Sequence, residues 1–117
     1  MSHSIGDYEI QINRSHILPF ITKYYPECNK NLPRLVAFLQ TYFTDLIVMD
    51  IGANIGDTVA FIKSESDVPI ICIEGNDKYF SLLKKNIKQF NNVFAFKKYF
   101  GEKKEIIDFQ VNTSGGT

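Results

Sequence analysis

The sequence contains very little cysteine. Cys28 and Cys72 are the only two in 117 residues, so the chain cannot carry a disulfide framework. Neither cysteine lies near His3 or His16, and no metal-ligand spacing results, so we predict no metal site and assign these histidines no role. Because Cys72 lies inside the apolar segment PIICIE, we expect it to be a small buried core residue.

An excess of charge of either sign is also lacking. Thirteen lysines and arginines balance thirteen aspartates and glutamates. A neutral chain has no bulk electrostatic attraction to nucleic acid or to an anionic membrane, and we predict neither as a partner. Lysines are concentrated between residues 78 and 104, which we interpret as a solvated helix face and exposed strand ends.

Long hydrophobic runs are absent as well. No apolar stretch approaches the roughly 18 residues of a membrane-spanning helix. The segment MSHSIGDYEIQ has no basic region followed by an apolar stretch, which a secretory signal requires. Hydrophobic residues make up 44% of the chain, enough for the core of one domain. We therefore expect a soluble protein of the cytoplasm.

Apolar runs alternate with helical patterns in the later part of the chain. The runs LIVMD and IICIE are short, continuous and closed by an acid, as in strands that are covered on both faces. The β-α-β-α-β order predicts an α/β fold, a Rossmann-like parallel sheet with helices on both faces. The predicted strands are 46–50, 70–74, 93–100 and 105–111, and the predicted helices are 56–63 and 77–90, the second capped by Asp77.

The front of the chain, residues 1–45, is interpreted as an N-terminal arm and a helical segment. Residues 1–12 form a short strand or an ordered arm, and 15–24 form a short helix interrupted by Pro19. Residues 33–43 form a helix whose apolar stripe is Leu35, Phe38, Leu39 and Tyr42. Because no closing helix follows the last strand, we expect residues 46–117 to be only the N-terminal half of a Rossmann-like domain.

The segment VMDIGANIGDTVAF places a glycine loop after the first strand of this unit. In an open parallel sheet, ligands bind beyond the carboxyl ends of the strands. A P-loop needs a lysine and wider glycine spacing than Gly52 and Gly56 provide. A dinucleotide loop needs a glycine where Asn54 stands. Both phosphate-binding types are therefore disfavoured, and a nicotinamide-dinucleotide domain is kept as an alternative.

Two acids close neighbouring strands. Asp50 and Glu74 are 24 residues apart, and in a parallel sheet we expect them to lie side by side along one crevice. A carboxylate such as Glu74 can accept hydrogen bonds from both hydroxyls of a ribose. Acids without a nearby lysine or arginine suit a ligand that carries positive charge instead of phosphate. S-adenosylmethionine, with its sulfonium and amino groups, fits this description.

The segment VMDIGANIGDTVAF, together with IEGNDKYFSLLKKNI, resembles the class I methyltransferases. It is most similar to the FkbM family, whose first motif is close to DxGANxGD and whose next helix ends in LxxN. The resemblance runs from about residue 46 to about residue 112. It implies a Rossmann-like fold that binds S-adenosylmethionine and O-methylates a sugar or another small-molecule hydroxyl.

The resemblance also implies which residues bind the cofactor. Asp50, Gly52, Ala53, Asn54 and Gly56 would line the methionine part, Glu74 would hold the ribose, and Gly75 and Asn76 would lie near the adenine, while Asp57 and Thr58 at the helix start complete the set.

The sequence departs from the family pattern at Gly75, where the family has proline, and in lacking the later D-x-E-G motif. No catalytic base is predicted. A non-catalytic α/β scaffold or binding module is the alternative from another class. Its open sheet edge is compatible with a homo-oligomer.

Overall fold

The computed structural model describes residues 1–101, which form a β-hairpin, four α-helices and a three-stranded sheet. The predicted strand at 105–111 lies outside the described residues. In chain order the elements are β1 (Ser2–Ile5), β2 (Tyr8–Gln11), α1 (Leu18–Tyr24), a 3₁₀ turn (Pro26–Asn29), α2 (Asn31–Gln40), β3 (Val48–Ile51), α3 (Asp57–Lys63), β4 (Ile70–Glu74), α4 (Asp77–Ile87) and β5 (Val93–Lys97).

The sheet confirms the predicted α/β fold. Its order is β3-β4-β5, and both pairs are parallel. Strands β3 and β4 are joined through α3, and β4 and β5 through α4. Because both connections step across the sheet in the same direction, right-handed crossovers place both helices on the same face. Within residues 1–101, the helices therefore cover one face of the Rossmann-like sheet.

The main core lies between that face and the helices. Cys72 is fully buried there, as predicted. Burial, and secondarily the charge of Asp50, raises the pKa of the Cys72 thiol to about 12, so the thiol stays protonated and acts as a small apolar group. The buried members of this core are Val36, Ala53, Val59, Ile62, Val68, Ile70, Cys72 and Leu83.

The opposite face of the sheet is apolar and exposed. Large side chains project from it at alternate positions of the edge strands, and those of the central strand are half-buried. No element within residues 1–101 covers this face. Its residues are Met49, Ile51, Ile71, Ile73, Phe94 and Phe96.

The N-terminal arm is an antiparallel β-hairpin that packs on the α/β unit. A second core forms where it meets α3 and α4, and it includes Ile55 of the glycine loop. The division of the chain at residues 45 and 46 stays a prediction. The buried members of this second core are Ile5, Ile10, Ile12, Leu18, Ile55, Ala60 and Tyr79.

Several predicted details of the first two helices were wrong. Pro19 does not interrupt a helix but lies in the first turn of α1, where its missing N–H costs no hydrogen bond. The stripe predicted for the next helix is largely exposed at Leu35 and Phe38, whereas Val36 is buried. A helical stripe indicates a face that can be buried, but within residues 1–101 only the Val36 side of α2 is packed into the core.

The boundaries of the later elements differ from the predicted ones by a few residues. Helix α4 and strand β5 each end three residues early, at Ile87 and Lys97. The cap of α4 is Asn76 and not Asp77, because the Asn76 side chain accepts hydrogen bonds from the N–H groups of Lys78 and Tyr79. Within the described residues, none of the helices is long and apolar enough to span a membrane.

Asn86 connects three parts of this structure. It is 3% exposed, and its Oδ1 accepts from the Gln11 N–H at 2.7 Å. Its Nδ2 donates to the carbonyls of Gln11 and Ile55 at 2.9 and 2.7 Å. The side chain thus ties α4 to the edge of the hairpin and to the glycine loop.

We expect Asn86→Ala to lower the free energy of unfolding by roughly 2–4 kcal/mol, because it leaves buried backbone groups of Gln11 and Ile55 without a partner. Urea unfolding measures the change. The exposed Ser81→Ala on the same helix is the matched control and should cost less than about 1 kcal/mol. Equal losses for the two variants would contradict the connecting role of Asn86.

Candidate functional site

The loop between β3 and α3 turns on three left-handed residues. Gly52, Asn54 and Gly56 have φ angles of 79°, 54° and 91°. A Cβ added at Gly52 would meet no atom within 4 Å, so this glycine is required by its conformation and lies beside open space. A Cβ at Gly56 would lie 3.1 Å from Leu83 Cδ1, so Gly56 permits close packing on α4.

Every backbone N–H of residues 52–56 is already used. Gly52 and Ala53 donate to the Ile73 carbonyl, Asn54 to Glu74 Oε2, Ile55 to Asn54 Oδ1, and Gly56 to the Ala53 carbonyl. A phosphate site depends on amides that point to the ligand without a partner. This loop offers none between residues 52 and 56.

Glu74 holds the loop in place from β4. Its side chain is almost buried, with 9% of the residue exposed. Oε2 accepts from the Asn54 N–H at 2.9 Å, and Oε1 accepts from the Asn76 N–H at 3.0 Å. A carboxylate oxygen can accept two hydrogen bonds, so each oxygen keeps capacity for one more.

Asp50 lies near Glu74 but is not directly opposite it. The register pairs Asp50 with Cys72, so Glu74 lies two residues further along β4, on the same face of the sheet. The prediction that the two acids lie side by side was therefore wrong by two residues along the strand. Within residues 1–101 the buried Oδ2 of Asp50 has no hydrogen-bond partner.

The electrostatics of the site are those of crowded acids. Burial raises the pKa of Asp50 from 3.8 to about 6, and the negative charges of Asp57 and Glu74 raise it further in the same direction. Burial also raises the pKa of Asp57, while the backbone amides at the start of α3 lower it. Three carboxyl groups thus meet where β3, α3 and β4 converge. No cluster of metal-ligating side chains is found within residues 1–101.

His16 belongs to this site, although the sequence analysis assigned it no role. The residue is buried, and its Nε2 lies 3.1 Å from Asn54 Oδ1. The contact joins residues 38 positions apart, between segments with no shared periodicity. No local signal in the sequence could have revealed it.

Gly75 follows Glu74 and is covered by an aromatic ring. A Cβ at this position would lie 2.4 Å from ring atoms of Tyr99, so only glycine fits unless the ring moves. In this chain, the Tyr99 ring therefore lies where a side chain in place of Gly75, such as the proline of the family pattern, would begin. Tyr99 lies just beyond the end of β5.

The structure brings together only part of the predicted cofactor-binding set. Asp50, Asn54, Asp57 and Glu74 cluster around the loop, with Gly52 open beside them. Ala53 is buried in the main core, and Thr58 is half-buried in the first turn of α3. The oxygen of the Asn76 side chain is occupied by the cap of α4. Contact of these residues with a cofactor stays a prediction.

Comparison with known proteins does not identify a family for this chain. No family model matches the chain, and no curated protein matches it. Among solved structures, the precorrin-6y C5,15-methyltransferase from Geobacter metallireducens GS-15 is 25% identical, with a TM-score of 0.45. The match covers 59% of this chain and 38% of that one, so the chain spans well under half of that protein. With a TM-score this low, we infer neither fold nor activity from the likeness.

We expect Asp50→Asn to stabilise the free protein above pH 6. A carboxyl group whose pKa is 3.8 when unfolded and about 6 when folded binds its proton more tightly in the folded state. Its stability cost therefore appears as the pH rises through this window and is complete above it. Urea unfolding should show the variant more stable by roughly 1–3 kcal/mol at pH 7.5, with the difference gone below about pH 3.

The exposed Asp45→Asn, just before β3, serves as the control and should show no such pH-dependent gain. A less stable Asp50→Asn variant at pH 7.5 would instead indicate that Asp50 is a structural cap for the loop.

Proposed function

We propose that this chain forms the cofactor-binding part of an S-adenosylmethionine-dependent methyltransferase. The observation that carries the proposal is a cluster of three carboxyl groups around a glycine loop whose amides all have partners. Such a site repels phosphate and attracts a cation. S-adenosylmethionine is a nucleoside ligand with a sulfonium and an amino group and without phosphate.

The residues present fit such a ligand. The unpartnered Oδ2 of Asp50 would accept from the amino group, which would restore the solvation that burial removed. The remaining capacity of the Glu74 oxygens would serve the ribose hydroxyls. The open space beside Gly52 leaves room for the ligand against the main chain. When bound, S-adenosylmethionine supplies an activated methyl group.

The role of the chain is then to bind and orient. Asp50 and Glu74 would fix two ends of one ligand, and holding donor and acceptor in reacting geometry accounts for roughly 7–11 kcal/mol of a typical barrier. The proposed acceptor is a hydroxyl of a sugar or another small molecule, which rests on the resemblance to the FkbM family. We assign no catalytic base.

Calorimetric titration with S-adenosylhomocysteine and with adenosine tests the two assignments separately. We expect Glu74→Gln to weaken both ligands on the order of 100-fold, because both carry the ribose. Asp50→Asn should weaken S-adenosylhomocysteine and leave adenosine unchanged, because adenosine has no amino acid group. Asp45→Asn is the surface control for both. Absence of binding by the folded wild-type chain would sink the proposal.

NADH is included as a competing ligand because a strand-end acid such as Glu74 can also hold the ribose of a dinucleotide. Tighter binding of NADH than of S-adenosylhomocysteine would favour the nicotinamide alternative.

A second candidate function, a binding or scaffold module, is favoured by the exposed apolar face of the sheet. Four large side chains on this face, Met49, Ile51, Phe94 and Phe96, are each at least half exposed. Contiguous apolar surface of this kind marks interaction sites in soluble proteins.

Sedimentation of the full chain tests this candidate. A concentration-independent dimer that binds neither nucleoside ligand would support the module, and Phe94→Ser with Phe96→Ser should then give a monomer. A monomer that binds S-adenosylhomocysteine would reject it.

A further inference from the structure

His16 has an arrangement that fixes the position of its proton. Its Nδ1 accepts a hydrogen bond from the Leu18 N–H at 3.1 Å, so this nitrogen carries no hydrogen. In the neutral ring the proton is then on Nε2, which donates to Asn54 Oδ1 at 3.1 Å. The ring is 8% exposed, and the start of α1 holds it in one orientation.

The residue that receives this hydrogen bond is the strained member of the loop. Asn54 has a φ of 54°, a conformation that non-glycine residues seldom adopt. Its Oδ1 also accepts from the Ile55 N–H at 2.9 Å, and its own N–H donates to Glu74. The bond from His16 therefore acts on the same side chain that stabilises the local turn.

We propose that His16 is a positioning residue of the site. It holds the Asn54 side chain, which keeps the Asn54 N–H directed at Glu74 and so keeps Glu74 in place for a ligand. As a determinant of ligand affinity, this inference rests on the proposed function, whereas the effect on the loop does not.

Two substitutions separate the two nitrogens of the ring. In His16→Gln the side-chain amide reaches the position of Nε2 and can still donate to Asn54. In His16→Asn the side chain is shorter, so its oxygen can accept from the Leu18 N–H but the amide does not reach Asn54. Both variants lose the ring and each keeps one of its two contacts, so comparing them shows which contact positions Asn54.

The experiment combines hydrogen exchange at the Asn54 amide with calorimetric titration by S-adenosylhomocysteine. We expect His16→Gln to retain wild-type protection and affinity within about threefold, and His16→Asn to lose about tenfold in both, the value of one hydrogen bond. Imidazole nitrogen shifts in the wild-type protein should show hydrogen on Nε2 only.

Each other outcome has a defined meaning. Equal protection of the Asn54 amide in the two variants overturns the inference, as does a loss in both that follows their fall in global stability. If the wild-type chain does not bind S-adenosylhomocysteine, the proposed function fails. The exchange at Asn54 still decides the role of His16 in that case.

Discussion

The rest of the site depends on the two hydrogen bonds that the Glu74 carboxylate accepts. It accepts from the Asn54 N–H on one side and from the Asn76 N–H on the other. The first bond fixes the glycine loop after β3, and the second fixes the turn into α4. Hydrogen bonds to a charged group contribute more than neutral ones, and burial strengthens them further. One side chain at the end of β4 thus joins both helix entrances of the unit.

Glu74 stabilises the site, whereas the acids next to it destabilise it. Asp50 and Asp57 both have raised pKa values, because burial disfavours their ionised forms, and for Asp50 the neighbouring negative charges act in the same direction. A folded chain gains nothing from this crowding. A binding site does gain, since a cation that enters it meets carboxylates that water has already left. The instability of the free site and its proposed selectivity for a cationic nucleoside have the same physical origin.

The sequence was sufficient to predict features that depend on local pattern. The parallel strands, the loop at Gly52 and Gly56 and the burial of Cys72 follow from apolar runs, glycine spacing and residue type. Features that depend on contacts between distant segments could not be predicted. His16 meets Asn54 across 38 positions, and Tyr99, just beyond the end of β5, covers Gly75. The prediction of the buried stripe of α2 was wrong for a related reason. Periodicity shows which side chains share a helix face, but not whether another element packs against that face.

The two Asn86 contacts with Gln11 have a consequence for how the chain acquires its shape. They join residues 75 positions apart, and they help hold the hairpin whose apolar side chains pack under Ile55. During synthesis the hairpin emerges before α4 and cannot complete its contacts until Asn86 is available. Contacts of such separation slow folding, since a large loop must close first. The glycine loop is therefore completed late, by a hairpin that precedes it in the chain.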